Sequence, residues 1–269
     1  MATLLVLSAA FIFSLQFKPV QTYVAKKGAQ YLSRELKTRI EIKSIYIKPF
    51  KSLVLEGFLI EDQEKDTLLS TPRLTLDITE FSLKGRKVAV NTAQLDNGIF
   101  YLKKYKDKST NLDFIINYFD TGTTKPKTTP RKPYDVTFQK IVLNNIAFRY
   151  KNFQVNKPVN GINFNDLHLR NLSTVVENLD TKNHLTKADF SNLTFREKSG
   201  FYLRNLTTSA TIDTNRMEFK NLLLETPNSR ISDYLLMEYK NFKEFARFVN
   251  KVKMTGKFKN SRIYSNDIA

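Results

Sequence analysis

Ile141-Val-Leu-Asn-Asn-Ile-Ala-Phe148 and Leu167-His-Leu-Arg-Asn-Leu-Ser-Thr174 carry the same irregularity. Apolar residues alternate with others, and the alternation then slips by one place at an asparagine. The form recurs as Ala188, Phe190, Asn192, Leu193, Phe195, as Phe201, Leu203, Asn205, Leu206, Thr208, and as Met217, Phe219, Asn221, Leu222, Leu224. A slip of one would turn the buried face outward. A bulge or tight bend repairs it, and Asn accepts left-handed backbone better than most residues. The expectation is a series of long strands bent at Asn145, Asn171, Asn192, Asn205 and Asn221. Ordinary strands joined by Asn-rich turns have the same periodicity and stay open as a reading. The Asn-to-Asn spacings of 26, 21, 13 and 16 are too uneven for a strict solenoid.

Period two already begins at Ile40. Leu74, Leu76 and Ile78 alternate with Arg73, Thr75 and Asp77, and Val88 and Val90 follow the basic turn Lys84-Gly85-Arg86-Lys87. Ile99–Leu102 reads as another strand. Leu112, Ile115, Ile116 and Phe119 make a short helical stripe, as do Phe242, Phe245, Ala246 and Val249. Thr121–Pro133 is a Pro/Thr/Lys linker. The fold class expected is mainly β: a membrane helix and an amphipathic helix, then a long curved antiparallel sheet with two short helices. The segments are 1–17, 18–39, 40–120, 121–133 and 134–269. The apolar alternation offers Leu74, Leu76, Ile78, Val88, Val90, Ile141, Leu143, Ile146, Phe148, Leu203, Leu206, Phe219, Leu222 and Leu224 as one candidate lining.

Met1–Phe17 is uncharged and mostly apolar. Its hydrophobic residues Leu4, Leu5, Val6, Leu7, Phe11, Ile12, Phe13, Leu15 and Phe17 suit a membrane anchor at the lower length limit of about 17 residues. A cleaved signal peptide would want a basic start and a small-x-small site, and Phe17-Lys18-Pro19-Val20 is not one. A buried core helix is the third reading. Lys18, Lys26, Lys27, Arg34, Lys37 and Arg39 follow, against Glu35 alone. Read literally, that excess keeps the rest of the chain on the cytoplasmic side, but nothing precedes Met1 to be weighed against it, so charge leaves the orientation open. From Pro19, Val20, Val24, Gly28, Leu32 and Leu36 form a stripe widened by Tyr23 and Tyr31, with Lys and Arg opposite. Such a helix lies in a headgroup layer or packs on the sheet, and the two are compatible.

The residue inventory points away from chemistry. The 269-residue chain has no Cys, two His and few Gly, which removes disulfides, thiolate metal sites, cysteine nucleophiles and phosphate loops. No catalytic, metal or cofactor-binding set is expected, and the chain reads as a non-enzyme. Asp62, Glu64 and Asp66 imitate the start of a calcium loop, yet Thr67 stands where Gly is needed and Arg73 where Glu is needed. A charged hairpin tip is the expectation there. His168, between Leu167 and Leu169, should face the other way and be exposed; His184 lies in a polar stretch. Three glycosylation sequons, at Asn171, Asn192 and Asn205, coincide with the repeat. The net charge of +17 is spread along the chain without a nucleic-acid motif, so no nucleic-acid partner is expected; anionic lipid accounts for the charge equally well.

Several strings carry a family resemblance: Val20-Gln-Thr-Tyr-Val-Ala-Lys-Lys27, Ser52-Leu-Val-Leu-Glu-Gly57, Glu61-Asp-Gln-Glu-Lys-Asp-Thr-Leu-Leu69, Gly161-Ile-Asn-Phe164, Phe195-Arg-Glu-Lys-Ser-Gly200 and Thr226-Pro-Asn-Ser229. With the order anchor, basic helix, strand pairs, short helix, linker and serial bent strands, the chain resembles the N-terminal region of TamB (translocation and assembly module) proteins of the AsmA-like superfamily, Bacteroidetes type. The resemblance runs from the anchor to Ala269. It departs in the short anchor with no basic start and in the absence of the C-terminal barrel-partner region. Family members are much longer, so a fragment of a longer protein is expected. The resemblance implies a single-pass inner-membrane anchor with the bulk in the periplasm and a curved sheet with an apolar inner face. It also implies membrane lipids and an Omp85-type outer-membrane barrel as partners. A phospholipid conduit and a scaffold for client β-strands are the two functions in view.

Overall fold

Leu, β-branched and aromatic residues fill the alternating stretches, and these pair into one sheet in the computed structural model. The structure describes all residues except 1–16, 48–51, 83, 108, 122–134, 156–160, 182–184, 242–250, 265–266 and 268–269. The anchor up to residue 16, most of the linker, His184 and the Phe242–Val249 stripe fall outside the described residues.

Helix α1 (Lys18–Leu36) precedes β1 (Ile40–Ile47), β2 (Ser52–Glu61), β3 (Thr67–Ser82), β4 (Lys87–Asp96) and β5 (Ile99–Lys104). Helix α2 (Asp113–Thr121) follows. Then come β6 (Asp135–Asn152), β7 (Asp166–Asp180), β8 (Thr186–Glu197), β9 (Tyr202–Leu203), β10 (Asn205–Ile212), β11 (Arg216–Glu225), β12 (Arg230–Glu238) and β13 (Lys253–Phe258). The spatial order is β1-β2-β3-β4-β6-β7-β8-β10-β11-β12-β13. Strand β5 continues the line of β4 past Asn97-Gly98, and β9 pairs with β8 just ahead of β10.

The sheet is mixed, which corrects the all-antiparallel expectation. Strand β6 runs parallel to β4 and β5, from Lys87↔Asp135 to Lys104↔Asn152. Parallel neighbours need a crossover of about a dozen residues or more, usually helical. The connection between β5 and β6 contains α2, and β6 starts at the end where β4 starts. There the Asp135 N–H donates to the Arg86 carbonyl at 2.8 Å. The strands on either side of the linker therefore share one sheet.

The asparagine slips are bulges. Asn145, Asn171, Asn192 and Asn221 all have φ between 51° and 55°, and the pairing register shifts beside Asn145, Asn171, Asn192 and Asn221. Asn205 differs: the strand breaks at Arg204, between β9 and β10, and Asn205 opens the new strand without positive φ. In β2 the same place is held by Gly57 at φ +60, where an added Cβ would come within 2.8 Å of the Lys43 Cβ. Asn97, at φ 53, marks it between β4 and β5. The bends are thus in register, and a fold line crosses the sheet from β2 to β11. Replacing Asn171 by Val is expected to cost about 1–2 kcal/mol, the penalty of left-handed backbone for a residue with a crowded Cβ. Asn171→Gly should stay within a few tenths of wild type in the same chemical denaturation series.

Helix α1 packs through only part of its hydropathy stripe, Leu32 and Leu36. Ala29 and Leu36 are buried with Ile40, and Leu32, Ile42, Phe58, Ile60 and the α2 residues Phe114 and Tyr118 pack around them. The helix also covers the open edge of β1 with polar side chains. Thr22 Oγ1 donates to the Ile45 carbonyl at 3.1 Å, Ser33 Oγ accepts the Ile40 N–H at 2.8 Å, and Gln21 Oε1 accepts the Ile47 N–H at 3.0 Å. This satisfies edge groups that would otherwise recruit another strand. Tyr23, Val24 and Tyr31 are left exposed beside Lys26 and Lys27. Among the described residues, no helix is long and apolar enough to cross a membrane.

Candidate functional site

The register collects all fourteen candidate lining residues on one face. Leu74 pairs with Leu95, Leu76 with Ala93 and Ile78 with Val90. Val88 and Val90 continue to Val136 and Phe138, and Ala93 and Leu95 to Ile141 and Leu143. Past the fold line, Ile146 meets Leu172, and Phe148 meets Phe100 and Leu169. Leu203 pairs with Phe195, Leu206 with Leu224, and Phe219 with Ala210 and Leu235. Leu222 lies two places from Leu224 and shares its face. Because each bulge adds one residue, the even-numbered apolar residues after Asn145 stay on the face of the odd-numbered ones before it. Val90, Ile146, Leu203 and Leu222 are buried; the other ten are half-buried.

The opposite face is polar and cross-linked. Gln94 Nε2 and Asn144 Nδ2 both donate to Asp96, and Asn91 Nδ2 donates to Asp77. At the fold line an asparagine ladder runs between strands: Asn171 Nδ2 donates to Asn145 Oδ1 at 2.8 Å, and Asn145 Nδ2 to Asn97 Oδ1 at 2.7 Å. The Asn145 N–H freed by the bulge donates to Ser173 Oγ at 2.9 Å. The sequon hydroxyl of Ser173 thus serves a neighbouring strand's bulge. Thr207 Oγ1 does the same for the Asn192 N–H at 3.2 Å.

The acidic tip Asp62–Asp66 has a cation of its own, which sequence reading missed. Lys103, on β5, is 2% exposed, and its Nζ lies 2.9 Å from Asp62, 2.8 Å from Glu64 and 2.5 Å from Asp66. Asp62 is itself buried. It accepts the N–H groups of Glu64 and Asp66 at 3.0 Å and Asn111 Nδ2 at 3.1 Å. The three carboxylates lie close enough together to hold a metal ion, but an ammonium already fills that role. Burial alone would lower the Lys103 pKa, and its hydrogen bonds to Asp66, Glu64 and Asp62 outweigh it and raise it. Burial likewise works against the Asp62 carboxylate, while Lys103, Asn111 and the Asp66 N–H hold its pKa below the usual range.

Other turns capture carboxylates in the same way. Asp166, though partly desolvated, is held down to about 2 by Lys198 and Lys151. His168 Nε2 lies 3.2 Å from Asp166, and the ring is partly exposed on the side opposite Leu167 and Leu169. Thr226, Asn228 and Ser229 all donate to Asp267, whose pKa falls to about 2 through the Thr226 and Ser229 hydroxyls first. The strings Glu61–Leu69, Phe195–Gly200 and Thr226–Ser229 are therefore hairpin turns, each built round a satisfied carboxylate. Glu197 takes the Ser199 and His168 N–H groups in the second. A polar cleft at the β10–β11 turn is lined by Asp213, Arg216, Glu238 and Tyr239. Arg216 pairs with Asp213 there, and Tyr239 Oη donates to the Asp213 carbonyl. The extended feature is the apolar face.

No protein-family model matches the chain, and no curated protein matches it.

Proposed function

We propose that the chain is the membrane-proximal part of a periplasmic bridge protein, anchored in the inner membrane by Met1–Phe17. Its apolar β face carries phospholipid toward the outer membrane and supports outer-membrane protein assembly or secretion. The observation that carries this reading is the continuity of the apolar face across the sheet, from Leu76 to Phe219. It is held in phase by the line of bulges and backed by a hydrogen-bonded polar face. Among the described residues, the helices α1 and α2 pack at the β1–β2 side. A half-buried stripe of Leu, Ile, Val and Phe suits acyl chains, each buried methylene contributing about 0.8 kcal/mol, while phosphates stay in water near Lys and Arg. An Omp85-type barrel, by the family resemblance, is the proposed partner at the far end.

A second reading rests on β13. It ends the strand order and its residues are all exposed, so among the described residues it is an open edge to which a client strand could add by backbone hydrogen bonds. The two readings separate on neighbouring residues of β6. A photo-crosslinking amino acid at Leu143 should capture phospholipid in cells, detected by mass spectrometry, whereas one at Val142, on the other face, should not. Absence of lipid adducts at Leu143, together with client peptide adducts at Met254, would replace the conduit by the scaffold.

A further inference from the structure

The apolar face does not stop inside the sheet. Beyond the candidate lining it runs out through one end, where β1 finishes and β4 and β6 begin. Phe81 pairs with Val88, Val88 with Val136, and Val90 with Phe138. A second set of irregularities keeps the phase: the register shifts beside Thr79 and Asn91, and Asn178 has φ 54. Leu179 follows that bulge, in the register shift between the Glu177–Asp189 and Asp180–Lys187 pairs. These last residues are exposed, Phe81 by 64%, Val136 by 41%, Leu179 by 38% and Phe138 by 36%.

Helix α1 enters the fold at the same end. Lys18 Nζ lies 3.4 Å from Glu56 and 4.5 Å from the centre of the Tyr46 ring, and Gln21 binds the last turn of β1 at Ile47. Phe17 and Ile47 are both more than half exposed there. The uncharged sequence Met1–Phe17 thus joins the described structure toward this end of the sheet, level with the Ile47–Leu53–Leu76 pairing from which β3 runs on to the rim. The turn Lys84-Gly85-Arg86-Lys87 sits at this end too, and its three cations outnumber the nearby Glu80 and Asp135, while Lys18 is paired with Glu56.

We infer that this rim, formed by Phe81, Val136, Phe138 and Leu179, rests on the surface of an anionic lipid bilayer and is the mouth through which lipid enters the face. This builds on the proposed anchoring and lipid carriage. Aromatic and aliphatic side chains beside basic ones suit the boundary between acyl chains and headgroups. The opposite end also exposes apolar residues, Phe153, Val155 and Phe164 on the β6–β7 hairpin, but no long uncharged stretch of sequence joins the fold there. That hairpin serves as the internal control.

The chain has no cysteine, so single labels are clean. Phe81→Cys, Phe138→Cys and Phe164→Cys replace exposed side chains and leave the core intact. The full-length variants, labelled with an environment-sensitive fluorophore, are reconstituted in phosphatidylethanolamine–phosphatidylglycerol vesicles containing headgroup-region nitroxide lipid. Quenching should be several-fold greater at 81 and 138 than at 164. It should fall at 81 and 138 when phosphatidylglycerol is replaced by phosphatidylcholine. Labels at 81 and 138 that stay in water overturn the inference. So does equal quenching at all three positions, or protection by contact with a second copy, revealed by fluorophore self-quenching that disappears on dilution of labelled with unlabelled chain. The crosslink at Leu143 reports separately on lipid carriage. Lipid captured there with the rim labels in water removes the docking alone. Rim labels at headgroup depth with no lipid at Leu143 remove the conduit and leave the docking.

Discussion

Replacing Lys103 by Met is expected to cost about 3–5 kcal/mol of folding stability, read from chemical denaturation of the full chain in detergent. The loss comes from what remains behind. Asp62 stays buried, and its carboxylate keeps Asn111 and two backbone N–H groups but loses its cation. An unpaired buried charge costs more than the pair contributed. Lys103→Met combined with Asp62→Asn should therefore recover a large part of the loss, a coupling that a double-mutant cycle measures directly. Truncating exposed pairs such as Lys87–Glu80, 2.7 Å apart, should change stability by less than about 1 kcal/mol. The pH dependence has a definite sign. Asp62 and Asp166 titrate lower in the folded chain than unfolded, so their contribution is full above about pH 4 and is lost as pH falls through the folded values. Lys103 titrates higher when folded, so its contribution is full below about pH 10 and is lost only as pH rises through the folded value. In Lys103→Met, the burial that already opposes the Asp62 carboxylate is countered only by Asn111 and the backbone N–H groups, so its pKa rises relative to the parent chain. Acid then relieves the penalty, and the stability gap to the parent chain should narrow as pH is lowered. A gap independent of pH would mean that lost packing of the lysine stem, rather than the stranded carboxylate, sets the cost.

The bent strands were legible from sequence because a bulge leaves a trace in one dimension. The apolar alternation changes parity, and the residue at the change must accept positive φ. Asn145, Asn171, Asn192 and Asn221 satisfy both conditions. Asn205 has the parity change but not the backbone, because a broken strand repairs the phase equally well. Asn97 and Asn178 have the backbone without the full repeat, so alternation does not mark them. The parallel β4–β6 pairing left no local trace, since strand direction is set by the length and path of the connection rather than by alternation. Hydropathy caught Leu32 and Leu36 on the packed side of α1 but misplaced Tyr23, Val24 and Tyr31 for a physical reason. Thr22 and Ser33 face β1 because their hydroxyls hydrogen-bond an edge strand, a contact that a hydrophobic stripe cannot register. Lys103 was invisible for the same kind of reason: a lone Lys in a strand looks solvated until the fold brings the Asp62–Asp66 turn and Asn111 around it. That these fourteen apolar residues share one face was legible, since they follow the strand period on both sides of each slip.

Leu76→Asp separates a lipid-carrying face from an ordinary core face, and its expected effect is loss of lipid transport with folding retained. Leu76 is half-buried and pairs with Ala93 on one side and Leu53 on the other. In a lipid-filled face, a carboxylate there must be desolvated against acyl chains without a partner, costing several kcal/mol if it stays charged. A conduit works in series, so one interrupted layer stops flow through all the others, however intact they are. Folding should survive, because a half-buried Asp reaches water once lipid leaves. Lipid recovered with the purified variant should therefore fall to background while its melting temperature moves by only a few degrees. Leu222→Asp provides the contrast. Leu222 is buried opposite Asp233, beside the Asn221 bulge, and there the same charge should unfold the chain outright. If Leu76→Asp unfolds as readily as Leu222→Asp, the face is a closed core at β3 and the conduit does not run through it. If the folded variant keeps its lipid, the path bypasses Leu74, Leu76 and Ile78.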